Sequence, residues 1–548
     1  MYFTFSALDL FTIAIYFAIF FAIIVISSRG VKSGKDFKLS DTKFGTFAIM
    51  ATQGASMKGS GSLVNYAGGS MSNGLGVLMA AQAPNLGGWM GAITGIARRL
   101  KVTSRELTIA SMGDIFYHRY GNNKVRLPST IGPIMISISF AALQMSAVGM
   151  VLHMAFYNSI GLTFNQGVFI AGVINLVCTL SGGVKSVIWT DVYQWWIMTP
   201  VMFILLPIFC WKNGVTFEAV KALDPGMFVI KPDASWVSLV ISGVLSCTID
   251  LVYVIRYVTS KDERSSVRGT ALGFLYTSLW AGVAVFFGIA AAIIFMGQEI
   301  PSDQVLYTLA STILPSGLLG LFIAGLMATT ISTSDSYLHT AVVTCTTDIL
   351  PYFRKGKAEF DDKQALRADR ITTAILTVAS VVFVLYVPAL KTLLNFGLSI
   401  NAVTMFCPIM AALFWDKSEE YGSIAGILGG LVAFAISQAT GKGTPVTVGV
   451  IVSAILVIAI GLIRNKSYAK LPGFRKGDSK PVKGMSQDAW IAIGGCLGAL
   501  GGVLFSVGFS RWLDPVVLIV GLALFLGGIR ILSIGVPKKE EKTAEKQS

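Results

Sequence analysis

Charge is scarce in this 548-residue sequence: aspartate, glutamate, lysine and arginine make up 13% of it, against 54% hydrophobic residues and a mean hydropathy of +0.69. Soluble globular chains carry about 25% charged residues, so that class is excluded. Histidine occurs only three times, and the six cysteines (Cys178, Cys210, Cys247, Cys345, Cys407, Cys496) fall in or beside apolar runs with no paired spacing, which excludes a disulfide framework or a zinc site as an organising device. Long polar stretches are also missing. The longest, 98–128 and 347–370, are too short for a nucleotide-binding module, and no P-loop occurs, so ATP hydrolysis within this chain is excluded. No nucleophile with a matching base stands in the apolar runs, so no enzyme is expected. The alternation of a β-barrel is absent. The first run, Leu8 to Ser28, lacks the basic leader and cleavage site of a removable signal peptide and reads as a retained span.

What is present is a succession of apolar runs, each able to cross a hydrocarbon core of about 30 Å as a helix. Fifteen spans are predicted: 8–28, 45–73, 74–97, 129–157, 167–183, 191–211, 235–258, 269–296, 317–346, 371–389, 391–415, 421–440, 445–464, 488–508 and 515–533. The net charge of +14 resides in short loops beside these spans, which is a topogenic pattern and not a nucleic-acid surface. With the N-terminus outside, the basic loops all fall on the cytoplasmic side, and only Lys212, Lys221, Lys231, Lys391, Lys442 and Arg511 face the other way. That orientation predicts a cytoplasmic C-terminus and a multi-pass protein of the cell (inner or plasma) membrane, in contact with the lipid bilayer. Ile109 to Tyr120 reads as an amphipathic segment at the inner surface. The organisation expected is a first span with its loop (1–44), a core (45–415), further spans (416–533) and a charged, disordered tail (534–548).

An ionisable group at bilayer depth costs at least ~2.5 kcal/mol and needs a partner or a cavity. The spans hold Lys58, His153, Asp250, Asp335 and His339, with Asp191 at the start of the sixth. Lys58 lies in Gly54-Ala55-Ser56-Met57-Lys58-Gly59-Ser60-Gly61-Ser62, where small residues predict that the helix comes apart. Ser332, Asp335, Ser336 and His339 recur at i, i+3, i+4, i+7 and share one helical face. Such a stripe lines a cavity or serves as interhelical glue, worth ~0.6 kcal/mol per hydrogen bond; the embedded aspartate favours the cavity. His153 reads as an ordinary satisfied polar group, and Asp191 either as a helix N-cap or as a pathway residue.

The stretch Gly182-Gly183-Val184-Lys185-Ser186-Val187-Ile188-Trp189-Thr190-Asp191-Val192-Tyr193-Gln194 resembles the signature of the sodium/solute symporter family, which includes proline, pantothenate and sugar symporters. Leu326 to Asp348 resembles the family's eighth core helix and Arg256 to Lys261 the basic end of its sixth; the likeness covers about residues 8–465. It implies an all-α protein with a ten-helix core of two inverted five-helix repeats, of the leucine-transporter type, whose first and sixth helices break at the midplane. It implies secondary active transport of a small polar organic solute inward by alternating access, with no cofactor other than a coupling sodium ion. The cation-site positions that match are Ala55, Lys58, Thr329, Ser332 and Thr333. Asp191, Asp335 and Ser336 fall on the ion pathway, and Ser56, Met57, Gly59 and Asp250 are substrate-cavity candidates.

Oxygen ligands suit a hard cation. The chain departs from the family at Met57 and Lys58, since an inward ammonium would repel a second cation 4 Å away by ~4 kcal/mol at an effective dielectric near 20. Three readings of Lys58 stand: it turns to Asp335 or Asp250 while sodium binds; it replaces sodium against Ser332, Thr333 and Asp335, making transport sodium-independent by proton coupling or exchange; or it binds the carboxylate of an anionic substrate. Asp250 either meets a substrate ammonium or neutralises Lys58. A transporter-like solute sensor is the expectation from another class.

Overall fold

The computed structural model describes residues 4–29, 33–39, 43–57, 59–229, 234–353, 361–510 and 514–537. Lys58, the side chain of Met57 and the end of the charged tail (538–548) lie outside the described residues.

An apolar helix α1 (Ala7–Ser28) leads to the short α2 (Gly34–Leu39). The next apolar stretch folds as two helices, α3 (Thr46–Met57) and α4 (Ser60–Asn73). Next come α5 (Leu78–Ile93), α6 (Ile96–Thr103), α7 (Met112–Tyr120), α8 (Ile131–Ile160) and α9 (Phe164–Pro200), which runs through a π-helical turn into α10 (Leu206–Lys212), with α11 (Phe217–Lys221) in the following loop. A second broken pair, α12 (Ala234–Thr248) and α13 (Leu251–Thr259), precedes α14 (Glu263–Ile294), α15 (Val305–Ile313), α16 (Leu318–Thr344) and α17 (Leu350–Phe353). The chain ends with α18 (Asp362–Tyr386), α19 (Leu390–Phe414), α20 (Glu420–Thr440), α21 (Pro445–Arg464), α22 (Gln487–Ser510) and α23 (Pro515–Ile534). A two-residue hairpin, Pro481–Val482 against Met485–Ser486, leads into α22.

Among the described residues, twelve helical stretches are long and apolar enough to cross a membrane. The other three expected spans take shorter forms. Span 45–73 is divided into α3 and α4, of 12 and 14 residues; span 74–97 contributes the 16-residue α5; span 167–183 is the half of α9 from Phe164 to Leu180. Breaks, and not missing apolar sequence, account for the difference. The loop expected around Lys185 is also absent, because helical geometry resumes directly after Gly183, whose φ of 58° turns the chain. That conformation suits glycine, and a Cβ there would lie 3.0 Å from the backbone of Phe37 in α2.

The broken pair α3/α4 packs on α14, and the broken pair at α12 on α5 and α19; α8 lies between α16 and α19. Helix α1 joins from the side, and its Asp9 carboxylate accepts the N–H groups of Gly317 (2.7 Å) and Gly320 (2.8 Å), capping the N-terminus of α16 from another helix. On the face rich in basic loops, Arg98 and Arg99 each hold Asp488 at 2.8 Å, and Arg126 bridges Asp114 and Asp348. Burial pushes the Lys101 ammonium down to about 8 while it donates to Val258 O, joining α6 to α13.

Beyond the core, α22 rests on α5 and α14, with Gly498 against Trp89 and Ser506 and Ser510 donating to the carbonyls of Ser278 and Gly282. Glycine faces glycine between α22 and α23: a Cβ on Gly528 would lie 2.5 Å from the nitrogen of Gly498. Close backbone approach of this kind replaces the hydrophobic effect as the source of helix association in lipid. Gly528→Leu is therefore expected to part the two helices and to lower stability by about 1 to 3 kcal/mol, read as a fall in melting temperature of the detergent-solubilised protein.

Candidate functional site

The break between α3 and α4 exposes the last carbonyls of one helix and the first N–H groups of the next, which have no partners within their own helices. Ala55 O accepts the hydroxyl of Thr333 on α16 at 3.2 Å. Thr333 also donates toward Thr329 O, and Thr329 toward Gly325 O and Leu326 O. Ala55, Thr329, Ser332 and Thr333 are all buried; Thr333 makes the contact from α16 to Ala55, with Thr329 one turn before it and Ser332 next to it in the same helix. This is a set of hard oxygen atoms, suited to an alkali cation.

Ser332 donates to Asp191 Oδ1, and Asp191 Oδ2 accepts Thr52 (2.5 Å) and Ser56 (3.2 Å). Asp191 stands inside α9, eight residues past the turn at Gly183, so it is not the N-cap that one sequence reading allowed. Its charge is met by Arg256 of α13. The guanidinium is 1% exposed; Nη2 donates to Ser56 (2.9 Å) and Ser336 (2.8 Å) and lies 4.0 Å from Asp191 Oδ2, Nε reaches Thr52 at 3.3 Å, and Nη1 donates to Val252 O. Helices α3, α9, α13 and α16 thus share one buried cluster of two charges and four hydroxyl groups. Ser56, expected in the substrate cavity, belongs to it.

Asp250 caps α13: Oδ1 accepts Val252 N–H at 2.9 Å and Oδ2 accepts the Tyr337 hydroxyl at 2.9 Å. Asp335 is hydrogen-bonded by Thr179, while its Oδ1 has no partner among the described residues. The face shared by Ser332, Asp335, Ser336 and His339 is realised in α16, and at its far end His339 Nε2 donates to Phe37 O at 2.8 Å, with the two rings tilted by 39° at a centroid distance of 5.3 Å. Gly59 is the N-cap of α4 and lies against Gln144 of α8. His153 bonds Leu162 O, as an ordinary satisfied polar group does.

Arg256, Gln144, Thr52 and Tyr337 were not singled out from the sequence. Arg256 carried a usable signal, since it lies inside span 235–258 and obeys the same rule on buried charge that selected Asp250. The others gave none.

Residues 37–430 match the model of the Sodium:solute symporter family. The chain belongs to that family. The symporter is 25% identical over 409 residues to a sodium/pantothenate symporter of Haemophilus influenzae, covering 71% of this chain and 81% of that protein. It is 23% identical over 448 residues to an osmoregulated proline transporter of Bacillus subtilis, covering 79% and 90%. Among solved structures, a sodium-coupled sialic acid symporter in a substrate-bound outward-open state superposes with a TM-score of 0.71 at 15% identity, covering 85% of this chain and all of that one, which shows a shared fold. The chain is a multi-pass membrane transporter of the secondary active, symport type.

Removing one member of a buried ion pair leaves the other unpaired, at a cost of about 3 to 5 kcal/mol. Asp191→Asn and Arg256→Met are each expected to lower the melting temperature and expression sharply, and the double variant to recover most of the loss. Equal, additive losses in a double-mutant cycle would show that the two charges do not support each other.

Proposed function

We propose that this symporter imports a small polar organic solute by alternating access, driven by sodium bound at Ala55, Thr329, Ser332 and Thr333, with Lys58 contributing a backbone carbonyl. The observation that carries the reading is the approach of Thr333 to Ala55 O at the α3 break. A cation placed there takes the free lone pairs of the α16 hydroxyls together with the Ala55 carbonyl, and it draws the end of α3 onto α16. That converts ion binding into a preference for one arrangement of the broken helices, which is what coupling requires.

Asp191, Asp335 and Ser336 form the inner part of the ion pathway in this reading. Asp335 and Ser336 continue from Ser332 along the α16 stripe toward His339 and Phe37, and Asp191 meets that stripe from α9. Segment 45–415 acts as the transport unit and 416–533 as its lateral support, with the N-terminus outside and the basic loops in the cytoplasm.

Sodium-gradient-driven uptake into proteoliposomes tests the reading. Replacing sodium by choline is expected to abolish accumulation, and Thr333→Ala to raise the half-saturating sodium concentration at least tenfold with the protein still folded. Uptake unchanged in choline would reject sodium coupling and favour replacement of sodium by the Lys58 ammonium.

A further inference from the structure

At the end of the bundle that carries the basic loops, the start of α3 and the end of α13 are joined by a parallel bridge between Phe44 and Ser260. Phe44 N–H donates to Thr259 O at 3.2 Å and Lys261 N–H to Phe44 O at 2.8 Å. One half of each broken pair is therefore tied at this point, and the bridge brings the backbones of Lys43 and Lys261 together. Both lysine side chains are exposed, and neither has an ion pair or hydrogen bond among the described residues. Two more cations follow on α14. Arg264 and Arg268 are spaced i, i+4, so two like charges stand one above the other, which is unfavourable unless an anion lies between them.

The acids nearby are already engaged. Asp262 caps α14 through the N–H of Ser265 at 2.7 Å, and Glu263 is held by Arg98 at 3.5 Å and Arg105 at 3.0 Å. Arg264 Nη1 finds only a carbonyl, Val536 O at 3.3 Å. Arg268 is half-buried, and its Nε is buried with no partner among the described residues. The one described charge that acts on Arg268 is that of Arg264. The next residue, Gly269, lies against the first turn of α3, where a Cβ would be 3.1 Å from Thr46 O, and Phe47 in that turn is exposed. Four cations thus border an exposed apolar side chain at the point where α14 enters its apolar stretch.

We propose that Lys43, Lys261, Arg264 and Arg268 bind the headgroup of an anionic phospholipid. Basic clusters beside the ends of membrane helices attract such headgroups, and guanidinium groups suit a phosphate oxygen through paired N–H donors. The phosphate would relieve the Arg264 and Arg268 repulsion and meet the unpartnered Nε, while the acyl chains cover the apolar surface beside Phe47; a soluble anion would supply only the first. Bound there, the lipid fastens the joined ends of α3 and α13 to α14. Neither the coupling ion nor the solute enters this inference.

Binding is measured on the purified full chain in neutral detergent, by thermal shift during titration with dioleoylphosphatidylglycerol, dioleoylphosphatidylcholine or inorganic phosphate. Phosphatidylglycerol is expected to raise the melting temperature saturably, and the other two to leave it in place. The double variant Arg264→Gln, Arg268→Gln should weaken the phosphatidylglycerol effect at least about tenfold. Lys43→Gln with Lys261→Gln, at exposed positions that the fold does not need, should weaken it as well and decides the matter if the arginine variant does not fold. Arg367→Gln with Arg370→Gln removes two exposed charges at the start of α18, at the same end of the bundle, and should leave the titration unchanged. Equal stabilisation by phosphatidylcholine, the same shift with inorganic phosphate, equal weakening in the α18 variant, or unchanged affinity in both patch variants would each overturn the assignment.

Discussion

The buried pair of Arg256 and Asp191 is the interaction on which the arrangement of this symporter depends. Neither charge is tolerable alone in a low-dielectric interior, and at 4.0 Å they are joined through Thr52, Ser56, Ser332 and Ser336 and not by direct contact alone. The hydroxyls belong to α3 and α16, the charges to α9 and α13. Four helices must therefore keep their registers for every donor and acceptor to be satisfied, which places the carbonyl of Ala55 opposite Thr333.

From that cluster the polar stripe of α16 runs to His339, whose Nε2 is held by the carbonyl of Phe37. Helix α2 lies there between the turn at Gly183 and α18, where Lys38 approaches Asp369 at 3.7 Å. The stripe thus ends against a short helix that joins the first span to the broken α3. The opposite side of the α3 break meets α8 through Gly59, Gly61 and Gln144. Glycine at Gly59 allows a helix start and the buried amide of Gln144 to come together, and that amide accepts the Gly61 N–H.

The two breaks also show how one motif serves two purposes. Asp250 makes the start of α13 self-sufficient and fastens it to α16 through Tyr337. The start of α4 has glycine as its N-cap, and Gln144 of α8 accepts its Gly61 N–H from outside the helix.

The sequence by itself determined the membrane class, the apolar runs, the α3 break and the shared face of Ser332, Asp335, Ser336 and His339, because each rests on local composition or on a helical period that any membrane setting enforces. The Trp189-Thr190-Asp191 signature led to the family for the same reason: it is contiguous. Only the tertiary structure decided which charges pair. Asp191 and Arg256 are 65 positions apart in the chain, and Ser332 lies 141 residues from Asp191, so no local rule joins them. Sequence reasoning looked for the partner of Lys58 and passed over Arg256, which reads as a helix end until α13 is folded against α3 and α9. Gln144 is likewise an unremarked amide in an apolar helix, and its meaning comes from the donor on Gly61 that fixes its orientation.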